Sequence, residues 1–438
     1  MNMCERNILE SPSAFCTLQL CHELDKNTLR EKLKVSVPTV NKFIDKFRDD
    51  GLIISRDNKY RVNPEIFTLI GISIGSAQSK IVLLDAGFHI MGGTKALAFK
   101  SLLISKLKEV LANEDVFLRR SQEDDISYAY FSTPDSLVEI KMCLDKIFES
   151  VRAAVENPDQ YGLNIVSIGI STTGIVNRDR QEIMEAHNIP SIEHKTIESL
   201  LFEEYRIFLK EKGINIHLEQ NSKAAVIAEK ISLYMHESKH KDCRNIASLY
   251  LGAGLGCGLI LDGRVFYGKS GYAGEVGHLI APDILTAKEK EKLEEANPVL
   301  QKKCSCGRNN CYDHLIRKYG FGKDKSSFSA MTTADIAAFL KNEDNAPRRK
   351  ALVKYIGSIC EMLCNVLNIE MIIFTGKFAK SREVLSRELE IESDKNVLHG
   401  NAEDCVFEFS ELGVSAPAIG AAVAAYYDRI GQDLRWDV

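Results

Sequence analysis

Asn245-Ile-Ala-Ser-Leu-Tyr-Leu251 runs straight into Gly252-Ala-Gly-Leu-Gly-Cys-Gly258 and leaves through Leu259-Ile-Leu261. Short apolar runs on either side of a glycine cluster predict two buried strands joined by a glycine-rich turn. Such a turn can bring backbone N–H groups against a phosphate, although glycines serve tight turns and close packing equally well. The same grammar recurs outward along the chain. Phe67-Thr-Leu-Ile-Gly-Ile-Ser-Ile74 and Lys80-Ile-Val-Leu-Leu-Asp85 flank Gly75-Ser-Ala-Gln-Ser79 as a hairpin, and Ile165-Val-Ser-Ile-Gly-Ile170 is a further buried strand entering Ser171-Thr-Thr-Gly-Ile175. Helical periodicity over 136–155, 222–234, 350–367 and 416–427 alternates with these strands. The pattern predicts an α/β body in two lobes, with a ligand cleft between them.

The first 65 residues read differently. Apolar spacing predicts helices over 15–24 and 28–33, the second with Thr28 as N-cap and Glu31 completing a capping box. A third helix follows, with Ser36 as cap, Pro38 in its first turn, and Val40, Ile44 and Phe47 turned inward. Gly51 ends it. Leu52-Ile-Ile-Ser55 and Tyr60-Arg-Val62, joined by a polar turn over 56–59, form a hairpin, so the unit reads as a winged helix-turn-helix. Candidate DNA contacts are Ser36, Pro38, Thr39, Asn41, Lys42 and Lys46 on the third helix, with Arg56 and Lys59 on the wing. Asp45, Asp49 and Asp50 dilute that face, and the same spacing fits a packing or dimerisation module. DNA binding is the preferred reading, because a dimer needs only a local basic set on each head.

Composition bounds the alternatives. The 438 residues suggest two or three domains, and 45% hydrophobic with 27% charged residues supplies real cores. A net charge of -5 excludes a global basic field as the source of nucleic-acid or membrane binding. No apolar run reaches the ~18 residues of a membrane span, and Glu5, Arg6 and Glu10 interrupt the start, so a cytoplasmic protein with reduced thiols is expected. Of its twelve cysteines, Cys304, Cys306 and Cys311 crowd together and ask for a reason.

Gly252-Ala-Gly-Leu-Gly-Cys-Gly258, Asp262-Gly-Arg264, Gly268-Lys-Ser-Gly-Tyr-Ala-Gly-Glu-Val-Gly-His278 and Cys304-Ser-Cys-Gly-Arg-Asn-Asn-Cys311 resemble consecutive signatures of the ROK family of repressors and sugar kinases. The N-terminal winged helix resembles its regulator branch. This implies a two-lobed, actin-like ATPase body: a first lobe over 66–195 completed by 416–438, and a second over 196–415 that carries the sugar cleft. The resemblance also implies that Glu275 bonds a sugar and that His278 joins Cys304, Cys306 and Cys311 around a structural zinc. One imidazole and three thiolates suit a closed tetrahedral site with no position left for a reactive water.

The departures concern chemistry. Where the family's kinases have Asp-Ile-Gly-Gly-Thr-Lys, this chain has Ser73-Ile-Gly-Ser-Ala-Gln78, and the second phosphate loop reads Gly252-Ala253-Gly254 in place of Gly-Thr-Gly. Gly75, Gly252, Gly254 and Gly256 are therefore expected to be degenerate phosphate-loop positions. In Leu218-Glu-Gln-Asn-Ser-Lys-Ala-Ala225, Asn221 matches the family Asn while Ser222 stands where the resemblance puts the catalytic Asp. Loss of a general base costs ~10²–10⁴-fold in rate. Asn221, Glu275, His278 and Asp313 are the expected sugar contacts; Asn221 and Ser222 also suit helix capping. Stretches 94–126 and 283–303 look like additions to the family pattern. The expected protein is a sugar-responsive transcriptional repressor, a homodimer or tetramer that binds operator DNA and a sugar or sugar phosphate. It needs neither ATP nor magnesium and touches no membrane. The rival is an ATP-dependent glucokinase-like or N-acetylhexosamine kinase-like enzyme with an atypical base such as Glu219.

Overall fold

The computed structural model describes residues 8, 10–21, 23–112, 116–120, 127–295, 303–393, 397–398 and 405–436. Three helices, Pro12–Leu20, Lys26–Leu33 and Val37–Asp49, precede a hairpin of β1 (Ile53–Arg56) and β2 (Lys59–Val62). Ser36 accepts the Thr39 N–H, as expected of the cap. Asp25, not Thr28, caps the second helix. Its carboxylate takes the N–H groups of Asn27 and Thr28 at 2.8 and 3.0 Å, so the helix begins earlier than a capping box at Thr28 would start it. The wing turns on Asp57 and Asn58, whose φ values of 51° and 62° fit a two-residue hairpin loop matched to strand twist.

Beyond the head, β3 (Thr68–Ile74) and β4 (Gln78–Leu84) pair antiparallel. β5 (Val116–Arg120) and β6 (Ser127–Ser132) extend the β4 edge, and β7 (Ile165–Thr172) runs parallel to β3 on the other side. β8 (Ile175–Asn177), β9 (Glu182–Glu185) and β10 (Lys195–Thr196) make a small separate sheet. β11 (Asn215–Gln220) then returns parallel to β7, completing the order β11-β7-β3-β4-β6-β5. This corrects the expected lobe boundary at 195: Ile197, Phe208 and Leu218 pack into the first core. A parallel return needs a long crossover, and residues 178–214 supply it.

The second sheet has the order β14-β13-β12-β15-β16, from β12 (Ile246–Leu251), β13 (Leu255–Leu261), β14 (Arg264–Val265), β15 (Met371–Gly376) and β16 (Val406–Phe409). The glycine turn is shorter than its composition suggests. β13 starts at Leu255, so only Gly252-Ala253-Gly254 forms the loop and Gly256 lies in the strand. Its neighbour Gly258 is demanded by close approach: a Cβ there would overlap the Ser222 carbonyl oxygen of the crossing helix Asn221–Met235.

That helix and Ala416–Arg429 are buried along nearly their whole lengths. They cross at backbone contact, since a Cβ on Gly420 would overlap the Ala224 carbonyl oxygen, while Gly71 and Gly169 admit the 416–429 helix equally closely onto β3 and β7. Phe15 and Leu18 of the head share one core with Ile231, Tyr426 and Tyr427, and Gln19 donates to the Ala86 carbonyl at 2.8 Å. The added stretches hold a helix, Gly93–Leu107, with edge strand β5, and a charged helix, Ala287–Glu295, tied by Lys354 to Glu289 at 2.9 Å. Residues 113–115, 121–126 and 296–302 of those stretches, with Glu5 and Arg6, lie outside the described residues. Among the described residues no helix is long and apolar enough to cross a membrane.

Glu229, fully buried on the 221–235 helix, accepts from Thr375 and Ser410, both at 2.6 Å. Burial pushes its carboxyl up to about 7 from an ordinary 4.5. Between those values the folded chain keeps a proton that the unfolded chain has released. The stability is therefore fully present below about 4.5 and is lost as pH rises through about 7. Glu229→Gln is expected to flatten the fall in Tm between pH 5 and 8, a contribution of roughly 3 kcal/mol at most; thermal melts across that range test it.

Candidate functional site

The carboxyl ends of β3, β7, β11 and β12 converge, and a cavity of about 620 Å³ opens between the two sheets there. Open α/β sheets hold their ligands at such strand ends. Asn221, Ser222, Glu275, His278 and Asp313 all line this cavity, together with Gly75, Gly252, Gly254 and Gly256. A second cavity, of about 730 Å³, shares Gly75, Ser76, Gly252 and Ala253 with the first and is bordered by Lys377 and Arg382.

The start of the 221–235 helix forms the cavity floor. Its N-cap is Gln220, with no side-chain cap, so neither Asn221 nor Ser222 caps it. Asn221 Oδ1 accepts from the Ser73 hydroxyl at 3.2 Å and its Nδ2 donates to the Ile74 backbone carbonyl at 3.4 Å. Ser222 Oγ is buried without a hydrogen-bond partner. Gln220, Asn221 and Ser222 thus present no carboxylate in any register. Glu219 does not supply one either: it is buried behind the wall, accepting from Tyr267 Oη and the Gln220 N–H, both at 2.8 Å.

The carboxylates that do line the cavity are all engaged. Glu185 accepts from Tyr272 Oη at 2.7 Å and lies 3.1 Å from His187. Glu275 accepts from the Gln220 amide at 2.8 Å. Asp313 takes the Leu255 N–H and the Arg317 guanidinium, both at 3.0 Å, which uses one oxygen for each. A Cβ on Gly254 would sit 2.7 Å from that carboxylate. The first N–H after the glycine loop, that of Leu255, is therefore already taken by a carboxylate. Thr173, Asn188, Tyr272 and Gln220 were not expected from sequence. They carry no spacing signal, and the fold alone brings them to the cavity.

His278, Cys304, Cys306 and Cys311 lie at one end of the cavity, with their ligand atoms within 4.8 Å of one another. The Cys306 and Cys311 sulfurs are 3.9 Å apart, close to the ~3.8 Å edge of a tetrahedron built on ~2.3 Å metal–sulfur bonds. Hydrogen bonds from Cys311 and His278 hold the Cys304 thiol far below its usual range, and Cys304 in turn pushes His278 up to about 9. The cluster could hold a metal ion, and its donor set fits one.

On the head, Ser36, Pro38, Lys42, Arg56 and Lys59 are exposed while Thr39, Asn41 and Lys46 are half-buried. Several have local partners. Ser36 and Thr39 hydroxyls bond each other at 2.8 Å, Asn41 accepts from Lys26 at 2.8 Å, Lys46 pairs with Glu10, and Arg56 lies 3.7 Å from Asp57. Lys59 lies 3.9 Å from Glu23. Sequence reasoning missed Lys26, which the helix packing brings beside the third helix.

The sequence profile of the ROK family matches residues 130–427, more than half of the chain. The chain belongs to the ROK family. Among its ROK relatives, the glucokinase of Halalkalibacterium halodurans is 22% identical over 276 residues, 59% of this chain and 75% of its own. The xylose repressor of Bacillus subtilis is 21% identical over 297 residues, 67% and 68% of the two chains. A ROK family transcriptional regulator described as a homologue of the E. coli MLC protein superposes over 97% of this chain and 98% of its own, with a TM-score of 0.64 at 16% identity. The ROK hexokinase of Thermus thermophilus covers 83% of this chain and 99% of its own, with a TM-score of 0.51 at 20% identity. The ROK fold therefore stands as expected: an α/β chain in which an N-terminal winged helix-turn-helix precedes a two-lobed, actin-like ATPase body.

Proposed function

We propose that this chain is a sugar-responsive transcriptional repressor whose body is a kinase-derived ligand sensor. The observation that carries the reading is a winged head that exposes Lys42, Arg56 and Lys59, on a body whose cavity floor offers Gln220-Asn221-Ser222 and no carboxylate. Without a base in place, a bound sugar hydroxyl keeps its proton and phosphoryl transfer loses the group that starts it. The near whole-length match to a regulator supports it, since that regulator covers 97% of the chain and the hexokinase 83%.

In this reading the domains are a DNA-binding head over 1–65 and two lobes that divide near Gln220. Glu275 accepts from a sugar hydroxyl, Asn221 and His278 border the same ligand, and Asp313 braces the wall beside them. Zn²⁺ is held by His278, Cys304, Cys306 and Cys311 as a structural ion that fixes one wall of the cavity. The repressor works in the cytoplasm as a homodimer or tetramer on operator DNA. A ligand shifts it only by favouring one arrangement of the lobes over another. The 221–235 helix links floor to head, because Asn221 lines the cavity and Ile231 shares the core of Phe15.

Gel-shift titration with DNA from upstream of its own gene is expected to give sequence-selective, salt-sensitive binding. Lys42→Glu is expected to weaken it about tenfold across sequences and to lower the salt slope by about one. Binding that ignores sequence and the Lys42 charge, or sugar-dependent ATP turnover at kinase rates, overturns the proposal.

A further inference from the structure

Lys223 is 1% exposed, and its ammonium points back under the cavity wall. It donates to the Gln220 carbonyl oxygen and to the backbone carbonyls of Gly271, at 2.8 Å, and Ala273, at 3.2 Å. A lysine has donors only, so the Gln220 amide is forced to turn its oxygen toward Lys223 and its NH₂ away. That NH₂ meets Glu275 Oε1 at 2.8 Å. The Gln220 amide is thus pinned from both sides, its oxygen by the buried cation and its NH₂ by the carboxylate, and it ties Lys223 to Glu275.

A second route leads to the same residue. Gly271 and Ala273 belong to the segment that ends in Glu275, and Tyr272 between them donates to Glu185 across the cavity at 2.7 Å. Lys223 holds this segment to the floor helix from behind. Burial lowers its pKa while Glu219 and Glu275 raise it, so the ammonium lies in the field of the carboxylate it aims.

We propose that Lys223 is a positioning residue of the ligand cavity, acting through Gln220 and the 271–273 segment to present the second Glu275 oxygen to one hydroxyl of a sugar. This rests on the sugar-sensor reading. Its own content is that Lys223 governs affinity only by way of Glu275 and never touches the ligand.

The test is calorimetric binding of D-glucose, D-xylose, N-acetyl-D-glucosamine, N-acetyl-D-mannosamine and their phosphates to the full chain, followed by a double-mutant cycle with the tightest of them. Lys223→Met is expected to weaken binding about tenfold, and Glu275→Gln at least as much. The Lys223→Met/Glu275→Gln double variant is expected to bind no worse than Glu275→Gln alone, because the aim has nothing left to act on. A purely structural role for Lys223 gives additive losses instead. Additive losses, or unchanged affinity in Lys223→Met, overturn the proposal while leaving the sugar-sensor reading intact. Wild-type protein that binds none of the panel brings down both. If Lys223→Met does not fold, Gln220→Met, which keeps the lysine's two backbone bonds, is run through the same cycle: losses that vanish in the Glu275→Gln background support the proposal, and additive losses overturn it.

Discussion

Gly420→Val is expected to leave little or no folded protein. A Cβ at this position falls inside the Ala224 carbonyl oxygen of the neighbouring buried helix, a backbone atom that cannot swing away as a side chain would. The two helices must separate along their crossing. The 416–429 helix is also wedged onto β3 and β7 through Gly71 and Gly169, so the displacement opens two packed layers at once. Overpacking that side chains can absorb costs about 1–3 kcal/mol, and this one should exceed the ~4–5 kcal/mol that marks the extreme of single substitutions. Against a total stability of about 5–15 kcal/mol, most of the population unfolds. Gly92→Ala is the control, since nothing lies within 4 Å of a Cβ there; it should change stability by about 1 kcal/mol or less. Soluble yield and circular-dichroism melts separate the two outcomes, and a folded Gly420→Val protein with near-wild-type Tm would contradict the packing described.

The second large effect is expected from the cluster of His278, Cys304, Cys306 and Cys311. Cys306→Ser replaces one atom on a half-buried residue, so packing barely changes while the donor set loses a thiolate. Bound zinc, measured by atomic emission, is expected to fall from about one per chain to near none, because a structural site is closed by four ligands. Part of the ion's binding free energy is folding free energy, so Tm should drop by ~10 °C or more, and a strong chelator should bring the wild type to the same value. Sugar affinity should fall with it by about tenfold, since His278 and Cys306 line the cavity. Full zinc content in the variant would show that these residues are not the ligands.

Much of the fold was legible because it rests on local rules. Two apolar runs around the 75–79 turn gave the first hairpin, and Ser36 followed by Pro38 gave the head of the third helix. Cysteine spacing signalled a cluster that could hold a metal, while His278, 26 residues before Cys304, came only with the family resemblance. What stayed hidden depends on tertiary contact. Gly256 read as loop because glycine usually breaks strands, yet it lies in β13, which needs small residues where the 221–235 helix crosses. The boundary at 195 failed because a parallel pairing such as β11 with β7 leaves no hairpin signature. Lys223 sits in a helix where a lysine ordinarily faces solvent, and nothing in the residues around it announces a buried cation. Glu219 was a reasonable candidate base by sequence distance, and the fold turns it behind the wall.

The seat of the head has a consequence for the order of synthesis. Phe15 and Leu18 are made long before the partners they rest on, Tyr426 and Tyr427. The sheet of β3 and β7 also waits for the 416–429 helix to cover one face. Until that helix is made, apolar surface on the head and on the sheet is exposed, so nascent chains halted before residue 416 should be the ones that chaperones hold and proteases clear.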